Sequence, residues 1–112
     1  MDCVFCKIAE GIIPSGKLYE DDEILAFNDL DPQAPVHVLM IPKTHIVSAA
    51  DITGENSALV GHIYEAAASL AKKLGLNNGF RIVTNSGKDG GQSVSHLHFH
   101  LLGGRTMGWP PG

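Results

Sequence analysis

No stretch of this sequence approaches the roughly eighteen consecutive apolar residues that a membrane-crossing helix requires, so no membrane partner is expected. There is no basic excess either. Eight Lys and Arg stand against twelve Asp and Glu, for a formal net charge of -4. That excludes nucleic-acid binding through a general basic surface, while local phosphate binding by backbone N–H groups stays open. The only cysteines are Cys3 and Cys6, too few for a disulfide framework. The first fifteen residues mix Asp2, Lys7 and Glu10 with short apolar pieces, unlike a signal peptide, and the expected location is cytoplasmic. Repeats, low-complexity tracts and interdomain linkers are absent. The 112 residues, 44% hydrophobic and 18% charged, suit one ordered domain spanning 1–112.

Glycine and histidine are what the chain does have: 13 and six residues. Phe5, Ile8 and Ala9 share helical spacing and predict a short helical turn, broken by Pro14-Ser15-Gly16. Strands are expected at Lys17–Glu20, Ile24–Asn28, Val36–Ile41 (stopped by Pro42), Phe80–Asn85 and Val94–Leu102. The best helix lies near residues 55–74. There Leu59, Ile63, Ala66, Ala67, Leu70 and Leu74 form one apolar stripe. Asp51 or Thr53 is the expected cap, Lys72 and Lys73 suit the last turn, and Gly75 stops it. His62 reads as a surface histidine of this helix. Strand connections of about four to seven residues are too short for parallel crossovers. The expected fold is therefore α+β, an antiparallel sheet with one long helix packed on it.

His96, His98 and His100 alternate with Leu97, Phe99 and Leu101. In a strand this puts three imidazoles on one face and three apolar side chains on the other, toward the helix. Such a row is read as a solvated face, as a metal site, or as a nucleophile with partners. A neutral imidazole attacks phosphorus well and forms a reactive covalent intermediate, and its neighbours can orient it and fix its tautomer. Leading into the row is Ser86-Gly87-Lys88-Asp89-Gly90-Gly91-Gln92-Ser93. Glycines let backbone N–H groups approach an anion closely, with the Ser93 hydroxyl and Asn85 amide nearby. The same segment reads equally as a plain hairpin loop, and no G-x-x-x-x-G-K-[ST] string is present. The case for phosphate chemistry rests on the adjacency of loop and histidines. Cys3 and Cys6 form a CxxC. This fits a metal site lacking two ligands, a redox pair, or two free thiols.

The segment Gly90-Gly91-Gln92-Ser93-Val94-Ser95-His96-Leu97-His98-Phe99-His100-Leu101-Leu102-Gly103-Gly104-Arg105 resembles the signature of the histidine triad (HIT) family. Further matches are Phe5-Cys6-Lys7-Ile8, Leu25-Ala26-Phe27, Asp31-Pro32-Gln33-Ala34-Pro35, Ile41-Pro42-Lys43 and the ending Trp109-Pro110-Pro111-Gly112. These carry the likeness over nearly the whole chain and favour the Hint branch over the dinucleotide hydrolases.

The resemblance implies a HIT-like homodimer whose two sheets join into one. It also implies hydrolysis of purine nucleoside phosphoramidates to AMP or GMP and an amine, with no cofactor for catalysis. His98 is the implied nucleophile, and His100 and His37 flank the phosphate. Asn85, Gly91, Gln92 and Ser93 match phosphate-binding positions, and Asp29 matches the residue holding the ribose hydroxyls. Val4, Phe5, Ile8, Phe27, Asn28 and Leu30 match the purine pocket, although Asp29 also reads as a turn residue and the aromatics as core. Trp109 reads as a tail anchor. In the resembling proteins the C-terminal segment reaches toward the partner's active site. Bacterial members of this kind complete the CxxC with two histidines, here His45 and His96, giving a Cys2His2 set suited to structural Zn²⁺. Dinucleotide polyphosphate hydrolysis, nucleotidyl transfer to phosphate and a non-enzymatic nucleotide-binding adaptor are the alternatives.

Overall fold

The computed structural model describes residues 3–112; Asp2 lies outside them. The chain runs through α1 (Val4–Ala9), β1 (Lys17–Glu20), β2 (Ile24–Asn28), β3 (Val36–Pro42), a 3-10 turn (Ala49–Asp51), α2 (Ser57–Lys73), β4 (Phe80–Val83) and β5 (Phe99–Gly103). The strands form one sheet in the order β1-β2-β3-β5-β4, and every neighbouring pair is antiparallel. The fold is α+β, as expected. No helix among the described residues is long and apolar enough to cross a membrane.

Both faces of the central strands are covered, which explains why β2 reads Ile-Leu-Ala-Phe without alternation. Ile24, Ala26, Val38, Met40, Phe99 and Leu101 pack with Ile63, Ala66, Ala67 and Leu70 of α2. Leu25, Phe27, Leu39 and Ile41 face the other way and pack with Cys3, Phe5 and Ile8 from the α1 segment. That second, thinner layer carries the candidate site.

Three sequence expectations change. Helix α2 begins at Ser57 with Asn56 at the N-cap position and no side-chain cap bond. Asp51 instead closes a capping box with Ser48 around the 3-10 turn, and Thr53 accepts from the Glu55 N–H in the turn that follows. β4 ends at Val83, which leaves Asn85 in the following loop. The last strand begins at Phe99, not Val94. Its final ladder pair with β3 is Met40↔Phe99; beyond it the chain finds other partners. The Leu97 N–H donates to the Ile46 carbonyl at 2.6 Å. The His96 ring reaches the Pro42 carbonyl at 2.8 Å, and the Thr84 hydroxyl donates to the His98 carbonyl at 2.8 Å. The division of side chains survives this break: Leu97 joins the α2 core with Phe99 and Leu101, while His96 and His98 meet Phe5 on the α1 side.

Candidate active site and metal cluster

His37 on β3 and His100 on β5 project from adjacent strands, His100 pairing with Leu39 two residues along β3 from His37, and their rings lie 5.1 Å apart between centroids. His98, on the approach to β5, lies 5.1 Å from His100 by the same measure and is 3% exposed.

The hydrogen-bond partners define the tautomers. Gln33 donates its backbone N–H to His37 Nδ1 at 3.0 Å, so the hydrogen of the neutral His37 ring sits on Nε2. That Nε2 lies 2.9 Å from His100 Nδ1 and 3.4 Å from the Asp29 carboxylate. His100 Nδ1 is therefore the acceptor, and its Nε2 carries hydrogen. This Nε2 is buried and has no hydrogen-bond partner among the described residues, an arrangement that native proteins rarely leave without a reason. His98 has the opposite polarity. Its Nδ1–H donates to the His96 carbonyl at 2.7 Å, leaving the lone pair on Nε2. Among the described residues, a lone pair with no hydrogen-bond partner thus stands on the ring next to the one bearing an unpartnered N–H, the ring centroids 5.1 Å apart. Burial, then the neighbouring His98 and His37, push His100 down to about 4 against the pull of Asp29. His100 is therefore a neutral donor at pH 7.

A second cluster lies behind His98. Cys3 Sγ is 3.3 Å and Cys6 Sγ 3.5 Å from His96 Nδ1. His45 Nδ1 is 3.2 Å from Cys6 Sγ and 3.1 Å from His96 Nδ1. All four donor atoms lie within 4.8 Å of one another. Metal–sulfur and metal–nitrogen bonds of about 2.3 and 2.0 Å on a tetrahedron require edges of about 3.3–3.8 Å, close to these spacings. His96 Nε2–H is held by the Pro42 carbonyl, which turns the Nδ1 lone pair toward the thiols, the outer hydrogen bond that metal-ligating histidines characteristically make. The cluster can hold a metal ion. Burial, then the adjacent Cys3 thiol, push Cys6 up to about 11, unlike a reactive redox cysteine. Asp29, His37 and His100 also bring donor atoms within 4.8 Å. Their tautomers disfavour a metal, because Gln33 occupies His37 Nδ1 and leaves a hydrogen, not a lone pair, on Nε2.

The remaining expected residues divide. Phe5 meets Phe27 and His98 edge-on at 5.9 and 5.1 Å, so with Ile8 an apolar wall reaches the histidines. Leu30 is 100% and Trp109 82% exposed, and Val4 and Asn28 are exposed too; one chain alone does not wall a pocket with these four. Gly91 has φ +80 and is exposed at the end of the glycine loop. Ser93 is exposed and Asn85 half-buried. Gln92 is tied internally. Its Oε1 accepts from Gly87 N–H, its Nε2 donates to the Val47 and Val94 carbonyls, and its own N–H donates to Gly87. Its side chain therefore shapes the loop. Sequence reasoning missed Gln33, whose contribution is a backbone N–H and has no residue-type signature. It also missed the pairing of His62 with Asp21. A cleft of about 770 Å³ lies elsewhere, along Gly75–Arg81 and Gly104–Met107.

Comparison with known proteins gives consistent results. A family model described as the HIT domain matches residues 10–107. An uncharacterised HIT-like protein of Synechococcus elongatus is 50% identical over 111 residues, covering 99% of this chain and 97% of its own length. The crystal structure of a HIT family hydrolase from Legionella pneumophila superposes with a TM-score of 0.97 at 51% identity, covering 99% of this chain and 100% of that one. A histidine triad nucleotide-binding protein from Candida albicans is 35% identical, with a TM-score of 0.83 over 97% of this chain and 83% of that one.

Proposed function

The chain belongs to the HIT domain family, and on that premise we propose that it hydrolyses purine nucleoside phosphoramidates, as the Hint branch does, through a covalent nucleotidyl-His98 intermediate. Its fold is shared with a HIT family hydrolase, and its Candida relative is described as nucleotide-binding. The observation that carries the reading is the pair of complementary nitrogens: His98 Nε2 with a free lone pair beside His100 Nε2, a buried donor with no partner.

In this reading His98 Nε2 attacks the α-phosphorus as the P–N bond breaks, and the departing nitrogen takes up a proton from solvent and leaves as the amine. Water then attacks the nucleotidyl-histidine, releases AMP or GMP and restores the ring. Two displacements replace one difficult hydrolysis. The His100 N–H, backed by His37 and Asp29, donates to the phosphoryl group at a fixed place. Asn85, Gly91 and Ser93 surround the phosphate, with Gln92 holding their loop. Asp29 holds the ribose, and Val4, Phe5, Ile8, Phe27, Asn28 and Leu30 contact the base. The four-donor cluster of Cys3, Cys6, His45 and His96 takes a structural Zn²⁺, which supplies cross-linking and no chemistry to the substrate. A second copy joins along the open edge of β4, where Phe80 is 44% exposed, and brings Trp109 toward the partner's site.

His98→Ala tests the core of this. It should lower turnover of adenosine phosphoramidate by a factor on the order of 10⁴–10⁶, the loss usual for removing a nucleophile, while the protein stays folded. Parallel rates on diadenosine polyphosphates test the substrate class; a clear preference for these would move the chain to another branch of the family. Binding without any hydrolysis would leave a nucleotide-binding adaptor.

A further inference from the structure

The four-donor cluster and His98 are joined by a short path, from the His96 ring to its own carbonyl and across one hydrogen bond to His98. His96 is fully buried at 0% exposure, and both ring nitrogens are engaged: Nε2 at the Pro42 carbonyl, Nδ1 among Cys3, Cys6 and His45. Its own carbonyl accepts the Nδ1–H of His98. In a continuing strand that carbonyl would belong to the sheet ladder, but the ladder with β3 ends at Phe99. What holds residues 96–97 is the segment carrying His45. The ring is held through the cluster, and the backbone through Leu97 N–H to the Ile46 carbonyl.

A second path runs through α1. Cys3 sits at its N-cap, where its sulfur accepts from Cys6 N–H at 3.3 Å. Phe5 lies between the two cysteines in the chain and packs edge-on against both His96 and His98, at 5.9 and 5.1 Å. A six-residue helix is too short to be stable by itself, so its anchorage depends on Phe5, Ile8 and the cluster.

We propose that the Cys3–Cys6–His45–His96 cluster is a positioning device for the reaction: a metal bound there fixes the His96 carbonyl and the Phe5 ring, and through them holds His98 in the single orientation and tautomer that presents its Nε2 lone pair. His96 is thus a positioning residue and not a catalytic one. The inference rests on the metal reading of the cluster given above, and it predicts more than stability. Loss of the metal misorients the nucleophile while the glycine loop, Asp29 and His37 stay in place, so kcat falls more steeply than the loosened base contact at Phe5 raises KM.

The test uses the whole protein. Metal content is measured first, and metal is then removed with a chelator and restored with zinc. The ¹⁵N shifts of the His98 imidazole are read in both states without nucleotide. With metal, His98 should show one tautomer with hydrogen on Nδ1; without it, an exchange-averaged mixture. On adenosine phosphoramidate, kcat should drop about tenfold or more, with a smaller rise in KM from the loosened Phe5 at the base, and zinc should restore both readouts. His45→Asn, outside α1, should reproduce the chelated state in a folded protein even where Cys3→Ser does not fold. Stoichiometric metal whose removal leaves the His98 shifts and kcat unchanged would overturn the positioning role alone. A protein that never takes up metal would overturn the metal reading and this inference with it.

Discussion

Which ring nitrogen bears hydrogen decides what each histidine can do: His98 offers a lone pair at Nε2 and His100 an N–H. The alternation of His96, His98 and His100 with apolar residues places all three on one side, and they remain there. Their differing hydrogen positions come from carbonyls and N–H groups of Gln33, Pro42 and His96, and no residue type encodes such partners. One consequence is a histidine that resists charge. His100 is held down near 4, first by burial. Its folded value lies below the unfolded one, so it adds nothing unfavourable above about pH 6.5 and subtracts stability as pH falls from there toward about 4. In an NMR titration the His100 ring should keep neutral shifts at pH 5.5 and move with a midpoint near 4; an ordinary midpoint near 6.5 would mean that its environment is wetter than described.

At the scale of elements, length and burial were legible where both faces are packed, as in β2, and the α2 stripe contains four of its five buried residues, Ile63, Ala66, Ala67 and Leu70, but not Ala71. Boundaries were less so. The last strand was expected from Val94 because its side chains alternate correctly to Leu102. Its pairing stops at Phe99, because Ile46, Pro42 and Thr84, distant in sequence, take over as partners. The glycine loop shows the same dependence. A Cβ on Gly90 would overlap the Ser86 backbone, so Gly90→Ala must open the loop. It should lower kcat/KM about tenfold, equivalent to about 1.4 kcal/mol, with little change in Tm. Retained kcat/KM would show that the loop's shape does not matter to catalysis.

Another element-level tie joins α2 to the β1–β2 turn. The Asp21 carboxylate accepts from Tyr19 and His62 and from two backbone N–H groups. The hydrogen bond that His62 donates to Asp21, helped by the charges of Asp21, Glu23 and Glu65, raises His62. A histidine raised on folding contributes fully below about pH 6.5, and that contribution is lost as pH rises through its folded value. His62→Ala should therefore cost about 0.5–1 kcal/mol at pH 6, the scale of a half-exposed ion pair, and clearly less at pH 9. Equal losses at both pH values would show that the contact is not charge-dependent.

At the scale of the whole molecule, the two layers differ in what holds them. The α2 layer is a broad apolar core. The α1 layer is narrow and rests on Phe5, Ile8 and the four-donor cluster. A metal that binds the folded chain adds stability in proportion to the logarithm of its free concentration over Kd. Chelation should accordingly lower Tm by several degrees, and zinc should restore it; an unchanged Tm would mean that α1 is held by its apolar contacts alone. Leu30 and Trp109 stand in solvent, so the base and tail contacts proposed for these two residues are not formed within one chain.

The proposed mechanism requires that His98 form a covalent bond to phosphorus. Mixing the protein with excess adenosine phosphoramidate carrying labelled phosphorus, quenching within milliseconds in alkaline denaturant and mapping the label tests it directly. The expected result is a burst of adenylate bound to His98, lost in His98→Ala together with turnover. Steady turnover with no label on His98, or full activity of His98→Ala, would contradict it.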